Sequence, residues 1–265
     1  MAGLQTWVIN LDRAPERWQR VSARLAEIGL PATRFPAVDA RAFTPAQQAQ
    51  LDAAAFARLH GMTPLPGELG CYLSHIEVMR RLLASDASCA LVLEDDVLVT
   101  ERLPVAIDGL LGHAERWDMV KLSAVHSGTP RRVLEVAPGQ HLAVMWSRCT
   151  GSSAYLMNRR AAAAYLDPQR GLLPMQLPYD HVFDQGWRFG LKVRLLVPTP
   201  CIHDEETAST IAAPSGAPSR KFHWTQRLST YRYRLGNEWA RLLAALEEGR
   251  PDYNVVPLKK SKTVA

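Results

Sequence analysis

The chain has 265 residues, 47% of them hydrophobic and 22% charged, which is ordinary globular composition with enough length for one large domain or a domain with an appendage. A formal net charge of +5 and a pI near 9.2 direct attention to anionic partners: nucleotide, phospholipid or nucleic acid. Cys71, Cys89, Cys149 and Cys201 lie far apart without a CxxC pair, which excludes a zinc-site spacing and a disulfide framework and fits a reducing compartment.

No apolar stretch approaches the length of a membrane span, and Asp12-Arg13 interrupts the first apolar run, so a soluble or peripheral cytoplasmic protein is expected. Thr6-Trp7-Val8-Ile9-Asn10-Leu11 reads as a buried strand, and Pro15 suits the first turn of the helix that follows. Trp18, Val21, Leu25 and Ile28 recur at helical spacing, with Gly29 placed to end the helix. A strand, loop and helix in this order open many nucleotide-binding folds. Asn10, Asp12, Arg13 and Arg17 are the side chains that would face a ligand there, the alternative for Arg17 being an exposed helix charge. A second strand over residues 33–38 ends in Asp39, and an acid so placed often accepts hydrogen bonds from a ribose. There is no GxGxxG, so a dinucleotide fold is not indicated. Thr44-Pro45-Ala46-Gln47 has capping-box spacing and predicts one helix to about residue 59, closed by Gly61.

The prolines and glycines around Pro64–Gly67 mark a loop, after which Leu69, Leu73, Ile76 and Leu83 give a helical apolar face. Gly70 inside that helix costs stability relative to alanine, so a close approach by backbone or ligand is expected there. Ser74 and His75 fall on adjacent faces, and a lone histidine on a helix is commonly a satisfied structural residue. Cys89-Ala90-Leu91-Val92-Leu93 then runs directly into Glu94-Asp95-Asp96, and Val97-Leu98-Val99 resumes the apolar run. Such a run reads as a strand buried on both faces in the middle of an α/β sheet. Ligands bind at the carboxyl end of these strands, and three adjacent carboxylates there call for a hard divalent cation. A solvated acidic turn is the alternative.

Residues 103–112 predict a helix, residues 117–122 a strand, and residues 132–136 and 142–146 a hairpin about Pro138-Gly139. Thr150-Gly151-Ser152-Ser153 is a small-residue turn into another strand, after which Asn158 is placed to cap a helix through residues 161–164. Pro178-Tyr179-Asp180 opens a short helix, with Asp180 either its N-cap or a functional carboxylate, and residues 191–197 form a further strand. The alternation of strands and helices predicts an α/β fold with a mixed sheet and one antiparallel insertion. Residues 219–224 and 231–234 interleave basic and aromatic side chains, and Trp239, Leu242, Leu243 and Leu246 continue an amphipathic helix. That pattern suits an anionic membrane surface, the alternative being aromatics packed on the main domain with solvated arginines. The expected division is residues 1–215, a basic-aromatic segment over residues 216–250, and a disordered tail over residues 251–265.

In order along the chain, five segments resemble glycosyltransferase family 25, the lipooligosaccharide galactosyltransferase family. They are Val8-Ile9-Asn10-Leu11-Asp12-Arg13 with Arg17; Ala37-Val38-Asp39-Ala40; Gly67-Glu68-Leu69-Gly70-Cys71-Tyr72-Leu73-Ser74-His75; the stretch from Leu91 to Val97; and Gly151-Ser152-Ser153-Ala154-Tyr155. The family often has glycine where Ala40 stands, and the likeness is loose after Pro200. The resemblance implies a GT-A-like nucleotide-binding fold with a mixed, mostly parallel central sheet as a catalytic domain over residues 1–215. It also implies a UDP-sugar donor, a Mn2+ or Mg2+ ion, and a lipooligosaccharide or lipopolysaccharide saccharide acceptor on a lipid-linked glycan, with no nucleic acid. The acidic motif maps onto Glu94-Asp95-Asp96. Asp96 is the leading metal ligand, Asp95 lies beside it or on the ribose, and His203 is placed to complete the metal shell. Glu94, Ser74, His75, Ser152 and Ser153 join Asn10, Asp12, Arg13, Arg17 and Asp39 as donor-binding candidates. Inverting transfer needs a base, for which Asp180 is the first candidate and Glu68 the second. The competing functions are a non-catalytic nucleotide-sugar-binding homologue and a magnesium-binding receiver-type signalling domain. A nucleic-acid binder would explain the basic tail but not the central acids.

Overall fold

The apolar run at the head of the chain forms β1 (Leu4–Asn10), buried over its last five residues, and leads into α1 (Pro15–Glu27) with Pro15 in the first turn. This computed structural model describes residues 3–204 and 220–248, so the expected tail at 251–265 and the stretch 205–219 lie outside the described residues. Gly29 follows α1 with φ +75°, a left-handed position that glycine adopts without steric cost. β2 (Thr33–Pro36) comes next.

The expected capping box of Thr44 and Gln47 is present, but it starts only a four-residue helix, α2 (Pro45–Gln48). Leu51 then bridges to Met175, and the Asp52 carboxylate accepts the Ala55 N–H at 2.9 Å to begin α3 (Ala53–His60). One expected helix is therefore two, because a second N-cap and a distant bridge interrupt it. In α4 (Pro66–Ala84), a Cβ on Gly70 would stand 2.7 Å from the Val38 carbonyl oxygen, so the close approach expected at this glycine is to backbone.

β3 (Cys89–Glu94) alternates between two apolar clusters: Ala90 and Val92 face one, and Cys89, Leu91 and Leu93 the other. The strand is buried on both faces, and each fully buried Val or Leu contributes ~1.5–3 kcal/mol. The remaining elements are β4 (Val97–Val99), α5 (Leu103–Gly112), β5 (Met119–Lys121), the hairpin β6 (Pro130–Ala137) and β7 (Gln140–Met145), and β8 (Ala154–Asn158). Then come α6 (Arg159–Tyr165), capped by the Asn158 side chain as expected, α7 (Tyr179–Phe183), α8 (Gly186–Phe189), β9 (Val193–Val197), β10 (Cys201–His203) and α9 (Leu228–Glu248).

Eight strands form one sheet in the order β2-β1-β3-β8-β5-β9-β7-β6. β2, β1 and β3 are mutually parallel, and β5 is parallel to β9. β8 and β7 run against both of their neighbours. The expected antiparallel insertion is the β6–β7 hairpin, and β8, in the middle of the sheet, is a second one. α1 and α5 cover one face while α3, α4 and α6 cover the other, which is the mixed α/β architecture expected. β4 leaves the main sheet and pairs with β10, setting His203 opposite Val97.

α9 is tied down by a buried ion pair between Arg241 and Asp184 at 3.1 Å, with the Arg241 guanidinium 4.9 Å from the Trp187 ring centre, and by Arg194 with Glu248. Breaking a buried pair of this kind typically costs ~3–5 kcal/mol. The opposite face of α9 exposes Leu228, Tyr231, Leu235, Trp239 and Leu243.

Candidate active site

A cleft of about 230 Å³ lies where β1 and β3 end, lined by the β1–α1 loop, residues 37–41, the first turns of α4 and the three acids after Leu93. The parallel register sets Ile9 beside Glu94, which brings Asn10 to Asp95. The Asn10 amide donates to Asp95 Oδ2 at 2.7 Å and to the Ala14 carbonyl at 2.8 Å, while its Oδ1 accepts from Arg34 Nε at 2.7 Å. Arg17, nearly buried, donates to Asp95 Oδ1 at 3.1 Å, so it is not an exposed helix charge. Both Asp95 oxygens are thereby engaged.

Asp96 differs. Its Oδ1 is buried with no hydrogen-bond partner among the described residues, and the nearest histidine nitrogen, His203 Nδ1, is 3.8 Å away, beyond hydrogen-bonding distance. Burial and then the neighbouring Glu94 charge push the Asp96 carboxyl up to about 6. A buried carboxylate oxygen left without a donor, next to an imidazole, has the chemistry of a divalent-cation seat.

Glu94 is held from the side of α4 and α7. Tyr179 Oη donates to its Oε1, His75 Nε2 lies 3.3 Å from the same oxygen, and His75 Nδ1 lies 2.8 Å from Tyr155 Oη. The His75 ring stacks on Tyr179 with centroids 4.0 Å apart. Burial pushes the Glu94 carboxyl up, but His75 and Tyr179 outweigh it and hold the group below its ordinary value. Donor atoms of Cys71, His75 and Glu94 also converge within 4.8 Å. However, burial and the Glu94 charge push the Cys71 thiol well up, so it stays protonated. With Glu94 already committed, this trio is a hydrogen-bonded scaffold.

The opposite wall is basic. Arg41, through its guanidinium and then its backbone N–H, and Arg13 hold the Asp39 carboxyl well below the usual carboxylate range. Ser74 Oγ donates to the Gly70 carbonyl at 2.7 Å and accepts the Val38 N–H at 2.9 Å, fixing residues 37–41 over the cleft. The Ser153 carbonyl accepts the Glu94 N–H at 2.7 Å and its hydroxyl meets Ser123 Oγ at 3.1 Å, while Ser152 Oγ is buried without a partner among the described residues. Asp180 sits in the first turn of α7, whose N-cap is Pro178, and accepts the Gly151 N–H at 3.1 Å; it is not the cap.

Of the candidates that do not line the cleft, two are held by arginines. Asp12 is largely exposed and paired with Arg34 at 2.6 Å. Glu68 accepts the Leu65 N–H at 2.7 Å and pairs with Arg220 at 3.0 Å, so its carboxylate closes the start of α4 instead of standing free as a base. Sequence reasoning missed Cys71, Tyr179 and Arg41. The signals for two of them were present: Cys71 precedes His75 by one helical turn, and Tyr179 adjoins Asp180.

A family model described as "Glycosyltransferase family 25 (LPS biosynthesis protein)" matches residues 4–182. Similar proteins include a glycosyltransferase 25 family member of Aedes aegypti, 31% identical over 121 residues, 43% of this chain and 20% of that protein. Procollagen galactosyltransferase 1 of Danio rerio is 25% identical over 181 residues, 64% of this chain and 30% of that protein. Inactive glycosyltransferase 25 family member 3 of Homo sapiens is 26% identical over 192 residues, 68% of this chain and 32% of that protein. The chain thus spans about a fifth to a third of the length of these relatives. The family match runs from β1 into α7 and takes in the acidic motif, the His75 scaffold and Asp180; the chain belongs to glycosyltransferase family 25.

Proposed function

We propose that the protein is a metal-dependent glycosyltransferase that moves a hexose, galactose in the first instance, from a UDP-sugar to a lipooligosaccharide or lipopolysaccharide saccharide, with inversion. The observation that carries this reading is the buried Asp96 oxygen, without a hydrogen-bond partner among the described residues, in a cleft where Glu94, Asp95 and Asp39 are all paired. Asp96 and His203 would hold Mn2+ or Mg2+, and a divalent cation bound there supplies neutralising charge for the departing diphosphate. Arg13 and Arg41 present guanidinium groups to the donor's phosphates, and Asp39 offers acceptor oxygens to the ribose. Asn10, Arg17 and Asp95 fix the acidic turn. Asp180 takes the proton from the acceptor hydroxyl. Galactose draws on the name of the Danio rerio relative, and the acceptor on the family's description. The family assignment removes the receiver-domain alternative. A non-catalytic sugar-nucleotide binder is the second reading, favoured by the word "inactive" in the human relative's name.

Donor and cofactor are tested together by thermal shift across UDP-sugars with and without Mn2+. UDP-galactose at 100-fold over its Kd is expected to raise Tm by about 5 °C or more, and only with the metal present. No shift with any UDP-sugar in Mn2+ would sink both assignments.

Peripheral binding at the cytoplasmic face of an anionic membrane belongs to the same reading. It is supported by the exposed apolar stripe of α9, flanked by Arg232. No helix of the described residues is long and apolar enough to cross a membrane, so this face would lie in the interface. Leu235→Glu with Trp239→Glu should release the protein from phosphatidylserine vesicles, and unchanged vesicle binding would refute the contact.

A further inference from the structure

Three consecutive residues of α7 reach in different directions. Tyr179 donates to Glu94 at the donor cleft, Asp180 accepts from Gly151, and His181 lines a second cavity of about 380 Å³ between α3, the segment after β7, α7 and α9. Among the described residues, His60, Arg148, His181 and Arg234 line this cavity against a single acid, Glu238. The Glu238 carboxylate already accepts the Arg148 backbone N–H at 3.2 Å and lies 3.5 Å from Arg241.

The two guanidinium groups have no ion pair among the described residues, and Arg234 makes only a 3.5 Å contact with the His60 carbonyl. Burial, and then the Arg148 and Arg227 charges, pull Arg234 below its ordinary value. Burial, followed by the charges of His181 and Arg234, pulls His60 down to about 3, and its Nδ1 is buried without a partner among the described residues. Arg148, which is exposed, and the half-buried Arg234 bring two like charges to this pocket, and a bound anion would meet both with charge-assisted hydrogen bonds. Leu59 and Tyr233 add an apolar and an aromatic wall of the kind that sugar rings pack on.

We propose that this cavity is the acceptor subsite, taking an anionic saccharide whose phosphate or carboxylate group is held by Arg148 and Arg234. The proposal rests on reading the cleft that Tyr179 reaches as the donor site; in α7 Asp180 lies between Tyr179 and the cavity-lining His181. An acceptor docked by its anionic group would present a hydroxyl toward Asp180.

The full-length protein, saturated with UDP and Mn2+ to fill the donor cleft, is titrated by calorimetry with glucose 6-phosphate, glucuronate and uncharged glucose. One or both charged sugars should bind more tightly than glucose, and the stronger of the two identifies the anion. Arg148→Gln and Arg234→Gln should each weaken that binding by about tenfold while leaving UDP affinity unchanged and Tm no lower. Failure of both charged sugars to bind, glucose binding as tightly as they do, or charged-sugar affinity unmoved in both variants would overturn the subsite. If the wild-type protein binds no UDP, the donor reading fails by itself, and the same titration without UDP still decides the subsite.

Discussion

Asp96→Ala is expected to lower kcat by about 10³-fold while leaving the fold intact, because it removes the buried carboxylate proposed to meet the metal. The same change should not destabilise the metal-free protein. Burial pushes the Asp96 carboxyl from 3.8 to about 6, so the folded state binds this proton more tightly than the unfolded chain does. Its contribution therefore favours folding below about pH 4 and is lost as pH rises through about 6. At ~1.4 kcal/mol per unit, the ionised group costs the metal-free fold on the order of 1–3 kcal/mol at neutral pH. In chelator at pH 7.5, Asp96→Asn should melt at or above the wild-type temperature, with the gap closing toward pH 4. A lower Tm would make Asp96 a structural acid, and retained transfer would remove it from the metal site.

Asp180→Asn is expected to cut kcat by about 10²–10⁴-fold with donor affinity unchanged. The asparagine oxygen can still accept the Gly151 N–H, so the α7 start and the Gly151–Ser153 turn keep their geometry while the proton acceptor is lost. Weakened UDP binding with unchanged kcat would assign Asp180 to the donor and leave the base unidentified. The measurement is steady-state transfer alongside a UDP titration of both proteins.

Elements whose signals are local were legible in the sequence. The β1–α1 unit, α5, the β6–β7 hairpin and the Asn158 cap all follow from apolar periodicity and terminal residues. The acidic motif was legible because a fully apolar strand ends in three acids. The direction of β8 was not, since an apolar strand reads the same whichever way it enters the sheet. Division of labour among the acids was hidden as well. Glu94 meets His75 and Tyr179 across 19 and 85 residues of chain, and Asp95 meets Arg17 across 78. Nothing local distinguishes these acids from Asp96, the one left without a donor. In α9 the alternative of packed aromatics and solvated arginines does not hold: Arg241 is buried against Asp184, while Trp239 is 60% exposed. A helix in which an arginine finds a distant buried carboxylate can turn its tryptophan outward, and the counter-charge is visible only in three dimensions.

The central claim is that this cleft turns over a UDP-sugar with the help of a metal. Release of UDP from UDP-galactose by the wild-type protein, followed with Mn2+ and again with excess chelator, tests it most directly. The account predicts steady UDP release, accelerated by a saccharide acceptor, abolished by chelation and restored by Mn2+. UDP-galactose that binds in Mn2+ but is never cleaved, with or without acceptor, would contradict it and identify a non-catalytic member of the family.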